Sequence, residues 1–299
     1  MLPSELLTII GRRHFIAEVR TETAKQALGV VESLARGGIS VFEISVAIPG
    51  CEEILHHFST SSEIMVGAGS VLDVRQATEV AKAGARFVVS PILATEILPV
   101  CAEYHIAPIL GALTPTEIIT AQRAGAELVK VFPISAMGGS NYLKSLFRHL
   151  THLSIMVSGG ITLENLPEYL ALPIRSIALS STLTPRAMIE QGDWAAMTMI
   201  ARRFVEMARH WEANMGQAPL RNVPTGQPLL PDTTMSPIQP QFPPTPSIRP
   251  GSLPLPEPPT SLPQRPPSSP GLPLPTEPPP FKPWDSKPAS PGKGDDWIR

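Results

Sequence analysis

Short apolar runs alternate with amphipathic helical patterns eight times along this chain, and that alternation limits the fold more than any other feature. A first helix is expected over residues 4–10, with Ser4 as its cap. Strands are then expected at 14–20, 39–47, 64–68, 86–90, 107–111, the run around Lys130, 154–158 and 174–179. In the first of them Phe15, Ala17 and Val19 alternate against Ile16 and Glu18. Helices are expected at 22–36 (capped by Thr21), 51–58, 74–83, 95–104, 115–124, 141–150, 163–171 and, last and longest, 193–214. Gly37-Gly38, Gly84 and Gly125 close three of these. Strands that read as apolar on both faces belong to a parallel sheet covered by helices. Eight such units favour closure into a barrel over an open sheet. The expected fold is therefore α/β, a (β/α)8 TIM barrel with tight loops, followed by a disordered proline-rich C-terminal tail.

The tail follows from a break in composition. Of the 36 prolines, 10 precede residue 216 and 26 follow it. Residues 1–215 are the expected barrel domain, large enough to bury a core without disulfides or metal. Residues 216–299 cannot build a packed core and should be extended, with patches of polyproline II. Pro-x-x-Pro spacings such as Pro256 to Pro259 and Pro263 to Pro266 fit a proline-reading domain as partner, with Trp284 and Trp297 as anchors. A net charge of -2 provides no footprint for nucleic acid. Cys51 and Cys101 form no CxxC pair, which suits a reducing compartment and argues against structural zinc. No run reaches the ~18 apolar residues of a membrane span, and the first residues lack signal-peptide character. A soluble cytoplasmic protein is expected, with no membrane partner.

In a barrel, chemistry sits at the C-terminal ends of the strands. Polar and small residues gather there: Glu43, Gly67-Ala68-Gly69-Ser70, Ser90-Pro91, Gly111 with Thr114, Lys130, Ser158-Gly159-Gly160 and Ser180-Ser181. Lys130 interrupts an apolar strand, so it must find a partner, snorkel to water or shed its proton. A neutral amine in a dry pocket attacks carbonyls, and the expectation here is a neutral one. Glu43 also lies in an apolar strand, where burial raises a carboxyl pKa towards neutral and makes it a proton carrier. The bland alternative is a salt bridge to a nearby base. The Ser158-Gly159-Gly160 turn, opening onto a helix, suits an anion, although a tight turn alone would also explain it. With the Ser180-Ser181 strand end it resembles a phosphate site after strands seven and eight. Arg20 adds a cation or forms a surface ion pair.

Six ordered motifs resemble the KDPG/KHG aldolase family over residues 4–212. They are Phe42-Glu43-Ile44-Ser45, Val66-Gly67-Ala68-Gly69-Ser70-Val71-Leu72, Val89-Ser90-Pro91, Leu113-Thr114-Pro115-Thr116-Glu117, Val129-Lys130-Val131-Phe132-Pro133 and Ser158-Gly159-Gly160-Ile161. The resemblance implies a class I aldolase on a (β/α)8 barrel, commonly a homotrimer, with no metal or organic cofactor and a small 2-keto acid as substrate. It implies Lys130 as the Schiff-base lysine and Glu43 as the general acid/base. It places Ser70 near the pyruvyl carboxylate, Pro91 and Phe132 on the pocket wall, and Ser158 where a threonine is common. Gly159, Gly160 and Ser181 match phosphate contacts, Ser180 sits beside them, and Arg20 matches a frequent arginine. Two departures bear on substrate grip. Ala47 stands where many members have an arginine, and Leu179 stands near a usual glycine and is expected to narrow the phosphate site. The implied reaction is cleavage of 2-keto-3-deoxy-6-phosphogluconate or 4-hydroxy-2-oxoglutarate. The phosphogalactonate analogue, a non-catalytic scaffold whose tail binds a partner, and a phosphate-binding isomerase or decarboxylase are the alternatives.

Overall fold

Each apolar run becomes a strand, and the strands hydrogen-bond in chain order until the eighth closes on the first. The computed structural model describes residues 3–215. Its strands are β1 (Phe15–Val19), β2 (Val41–Ser45), β3 (Met65–Gly69), β4 (Phe87–Val89), β5 (Ala107–Ala112), β6 (Leu128–Val131), β7 (Ile155–Ser158) and β8 (Ser176–Leu179). All pairings are parallel. This is the expected (β/α)8 barrel. The expectations for residues 216–299, including the Pro-x-x-Pro segments, Trp284 and Trp297, lie outside the described residues.

The helices are α1 (Pro3–Arg13), α2 (Ala24–Arg36), α3 (Cys51–Phe58), α4 (Val74–Lys82), α5 (Leu98–Glu103), α6 (Pro115–Arg123), α7 (Ser140–Phe147), α8 (Leu166–Leu170), α9 (Arg186–Gln191) and α10 (Trp194–Met215). Several boundaries move for local reasons. Thr23, not Thr21, caps α2, because Gln26 three residues on completes a reciprocal capping box. Thr114 does the same for α6 with Glu117, so its hydroxyl serves the helix end rather than a site. Pro167 lies at the first turn of α8 and delays its start beyond the expected residue 163. α1 includes Ser4 instead of being capped by it, and α9 was not foreseen.

Two layers of apolar side chains result from the period-two alternation of the strands. The outer layer packs strand residues such as Ala17, Val19, Ile44 and Leu179 against the helices. Close contact between α2 and α10 depends on two glycines. A Cβ on Gly29 would lie 2.8 Å from the Trp194 ring, and one on Gly37 would lie 2.5 Å from the Ala201 Cβ. The inner layer fills the barrel with Ile16, Val41, Leu128, Met156 and Ala178 among others, and Leu6, Leu7 and Ile10 of α1 close its N-terminal end. Two residues further along four of these strands, on the same face, stand Glu18, Glu43, Lys130 and Ser158. The barrel interior is thus apolar at one end and charged at the other.

Candidate active site

Lys130 lies on β6, across the barrel from β1 and β2, and its side chain is only 4% exposed. Its Nζ is 2.7 Å from Glu18 Oε1 and 3.0 Å from Glu43 Oε2. Glu18 and Glu43 are register partners on adjacent strands, so both carboxyls reach the amine from one side of the barrel. Ser158, on β7, donates from Oγ to Glu18 Oε1 at 2.6 Å. Phe132 follows β6, and its ring centroid is 5.8 Å from Nζ.

The expected neutral lysine is corrected by this geometry. Burial pushes its pKa down, but Glu43 and Glu18 together outweigh that and hold it above the ordinary value. The ammonium does not snorkel; it is paired. Burial raises Glu43 to about 7, with Lys130 opposing and Glu18 adding to the rise. Burial also acts to raise Glu18, but Lys130, Ser158 and Arg20 together bring its carboxyl below the ordinary range. Of two neighbouring carboxyls, one therefore titrates near neutrality and the other stays an anion.

Small residues make room for this cluster. A Cβ on Gly69 would lie 2.2 Å from Glu43 Oε1, so β3 must be bare beside that carboxyl. A cavity of ≈ 240 Å³ opens beside the cluster, lined by Glu18, Arg20, Phe132, the 158–161 turn and residues 178–182. It brings together seven of the residues singled out from the sequence: Arg20, Phe132, Ser158, Gly159, Gly160, Ser180 and Ser181. Gly160 has φ +73, and a Cβ there would meet the Ser135 Cβ at 2.5 Å, so the turn requires glycine. Arg20 Nη2 donates to Ser70 Oγ at 3.1 Å, which ties Ser70 to the same mouth. Pro91 stands apart from that wall, with its backbone seated against the bare face of Gly111.

Both expected departures change meaning. Leu179 is buried in the outer layer, because its register partner is the outward Ala17; the residue facing inward is Ala178. Leu179 therefore does not narrow the cavity with its side chain. Ala47 is exposed in the turn after β2 and leaves Arg20 as the cation at the mouth. Glu18 was missed by sequence reading. Its signal was its place on the same strand face as Ile16, and the need of a buried lysine for a counter-charge. Among the described residues no cluster of three or more His, Cys, Asp or Glu is placed to hold a metal, and no helix is long and apolar enough to cross a membrane.

A (β/α)8 barrel with its charged cluster and cavity at the C-terminal strand ends is the architecture of a barrel enzyme. Residues 8–200 match the family model described as "Aldolase: KDPG and KHG aldolase", and the chain belongs to that family of aldolases. It is 29% identical over 208 residues to the 2-dehydro-3-deoxy-phosphogluconate aldolase of Pseudomonas aeruginosa, covering 68% of this chain and 94% of that one. It is 31% identical over 186 residues to the KHG/KDPG aldolase of Escherichia coli K12, covering 62% and 87%. Among solved structures, the KDPG aldolase of Legionella pneumophila superposes with a TM-score of 0.61 at 27% identity, covering 68% of this chain and 97% of that one. That structure holds pyruvate captured at low pH as a covalent carbinolamine intermediate.

Proposed function

We propose that this chain is a class I aldolase that reversibly cleaves 2-keto-3-deoxy-6-phosphogluconate to pyruvate and glyceraldehyde 3-phosphate, or 4-hydroxy-2-oxoglutarate to pyruvate and glyoxylate. The observation that carries the reading is a buried amine, Lys130 Nζ, 3.0 Å from a carboxyl, Glu43, whose pKa lies at about 7. In the resting enzyme that amine is an ammonium and cannot attack. Passing one proton to Glu43 neutralises both groups at once and frees the nucleophile. The amine adds to the 2-keto carbon, Glu43 returns a proton to the departing hydroxyl, and a protonated imine forms. That imine withdraws the electrons of the C3–C4 bond as the C4 hydroxyl loses its proton. The aldehyde leaves, the enamine is protonated at C3, and water releases pyruvate.

Arg20 and Ser70 are the proposed grip on the keto acid's carboxylate, with Arg20 standing in for the cation that Ala47 does not offer. Gly159, Gly160 and Ser181 are the proposed contacts for a phosphate, with Ser180 beside them and Phe132 as a wall. A homotrimer without metal or organic cofactor belongs to the same reading. Borohydride reduction in the presence of pyruvate tests it. A stable adduct on Lys130 is expected, and its absence, with no cleavage of either keto acid, would favour the scaffold reading. Relative cleavage rates on the phosphogluconate, phosphogalactonate and hydroxyoxoglutarate substrates then assign the preference.

A further inference from the structure

Glu18 belongs to none of the motifs that mark this chain, yet it makes the shortest contact to Lys130, 2.7 Å. Glu43 alone already meets the ammonium twice, at 3.2 and 3.0 Å. A second buried carboxylate is costly to desolvate, and pairing the lysine does not require it. Its position differs from that of Glu43 in one respect: Glu18 lines the cavity that the Gly159-Gly160 turn and Ser181 also line, and Glu43 does not. Both of its fixed contacts, to Lys130 and to Ser158, fall on Oε1, leaving Oε2 without a hydrogen bond among the described residues.

The geometry points to Glu18 as a second catalytic carboxylate, the base that takes the C4-hydroxyl proton during carbon–carbon cleavage and returns it in the aldol direction. This rests on the Schiff-base aldolase reading. With C2 bonded to Nζ, C3 and C4 extend from the amine into the cavity, on the Glu18 side. As cleavage proceeds, the C4 O–H proton passes to Glu18 Oε2, and the O–H electron pair becomes the aldehyde π bond. The C3–C4 pair becomes the C2=C3 bond, and the imine π pair returns to nitrogen as a lone pair. The cation beside Glu18 therefore disappears in the same step that delivers the proton. Loss of that cation raises the proton affinity of the carboxylate at the moment it is needed. Glu43 keeps the protons of the amine, the carbinolamine and the enamine. The groups facing Glu18 are Lys130 from β6, Glu43 from β2, Ser158 from β7 and Arg20 from its own strand end.

The test separates half-reactions in the full-length chain. Pyruvate alone needs no C4 chemistry, so Glu18→Gln should lose far less of its exchange of the pyruvate C3 hydrogens with deuterated water than of its cleavage, because the altered charges of Lys130 and Glu43 touch both reactions alike. It should also still be trapped at Lys130 by borohydride. Its cleavage of the keto acid that the wild type accepts should fall by ~10²–10⁴-fold, the usual worth of a positioned acid or base. Glu43→Gln should lose exchange and cleavage together. If exchange and cleavage fall in parallel in Glu18→Gln, or if cleavage is unchanged, the assignment is overturned. Should Glu18→Gln fail to fold by circular dichroism, Glu18→Asp replaces it: the same split supports the role, and parallel losses overturn it. If the wild type itself shows neither adduct nor cleavage, the aldolase reading fails, and this role fails with it.

Discussion

Replacing Lys130 by methionine keeps most of the side-chain volume and removes the one ammonium between Glu18 and Glu43. Both carboxyls then face each other's field at 4% and 3% exposure, with Arg20 the weakest influence on either. Breaking a buried pair by removing one partner costs about 3–5 kcal/mol, and that loss is expected at pH 8. The sign of its pH dependence follows from the two carboxyls. Glu43 already sits at about 7 with Lys130 holding it down, so without the lysine it must rise further. The rise from 4.5 to about 7 is already present in the wild type, so only the further rise enters the variant's deficit. A carboxyl with a raised folded pKa destabilises the fold only above its unfolded value, and protonation relieves it as pH falls. Glu18, held low in the wild type, contributes stability above its unfolded value that the variant no longer has. Lys130, held high, contributes stability throughout the range below its unfolded pKa. The variant's deficit should therefore be largest at pH 8 and shrink steadily towards pH 5. Urea unfolding of both proteins at pH 8, 6.5 and 5 measures it. A deficit below about 1 kcal/mol at pH 8, the range of an exposed ion pair, would refute the buried triad. So would a deficit that grows on acidification.

Gly69→Ala places a Cβ 2.2 Å from Glu43 Oε1 and 2.7 Å from its Cδ. Displacing that carboxyl by about an ångström should lower kcat ~100-fold with the fold retained by circular dichroism; unchanged turnover would show that Glu43 need not hold its place. Gly160→Ala strains a φ of +73 and meets Ser135 at 2.5 Å. Losing one backbone contact to a charged phosphate costs ~1.5 kcal/mol, about tenfold in KM. The phosphorylated substrate should show that rise and hydroxyoxoglutarate should not, and equal effects on both would remove phosphate from this turn.

The barrel was legible because its signal is repetitive. Eight apolar runs separated by helical periods leave few topologies, and closure in chain order needs only local connections. Lys130 and Glu43 were legible because each breaks an apolar strand. Glu18 breaks its strand in the same way, but between Ile16 and Arg20 it reads as ordinary alternation. What distinguishes it is a contact to a residue 112 positions later, which no local pattern contains. Helix ends were read less well, since Thr21 and Thr23 are chemically equivalent caps and only Gln26 selects between them.

From the residue order alone came the strand–helix repetition, the charged groups inside apolar runs and the glycine turns, because each of these is a pattern within one or two elements. The charge state of Lys130 was decided elsewhere. Taken by itself, a buried amine should be neutral; folded between two carboxyls from β1 and β2, it is an ammonium. The orientation of Leu179 was decided in the same way, by strand register. Protonation and facing depend on which distant groups share a low-dielectric space, and only the closed barrel brings those groups within reach of one another.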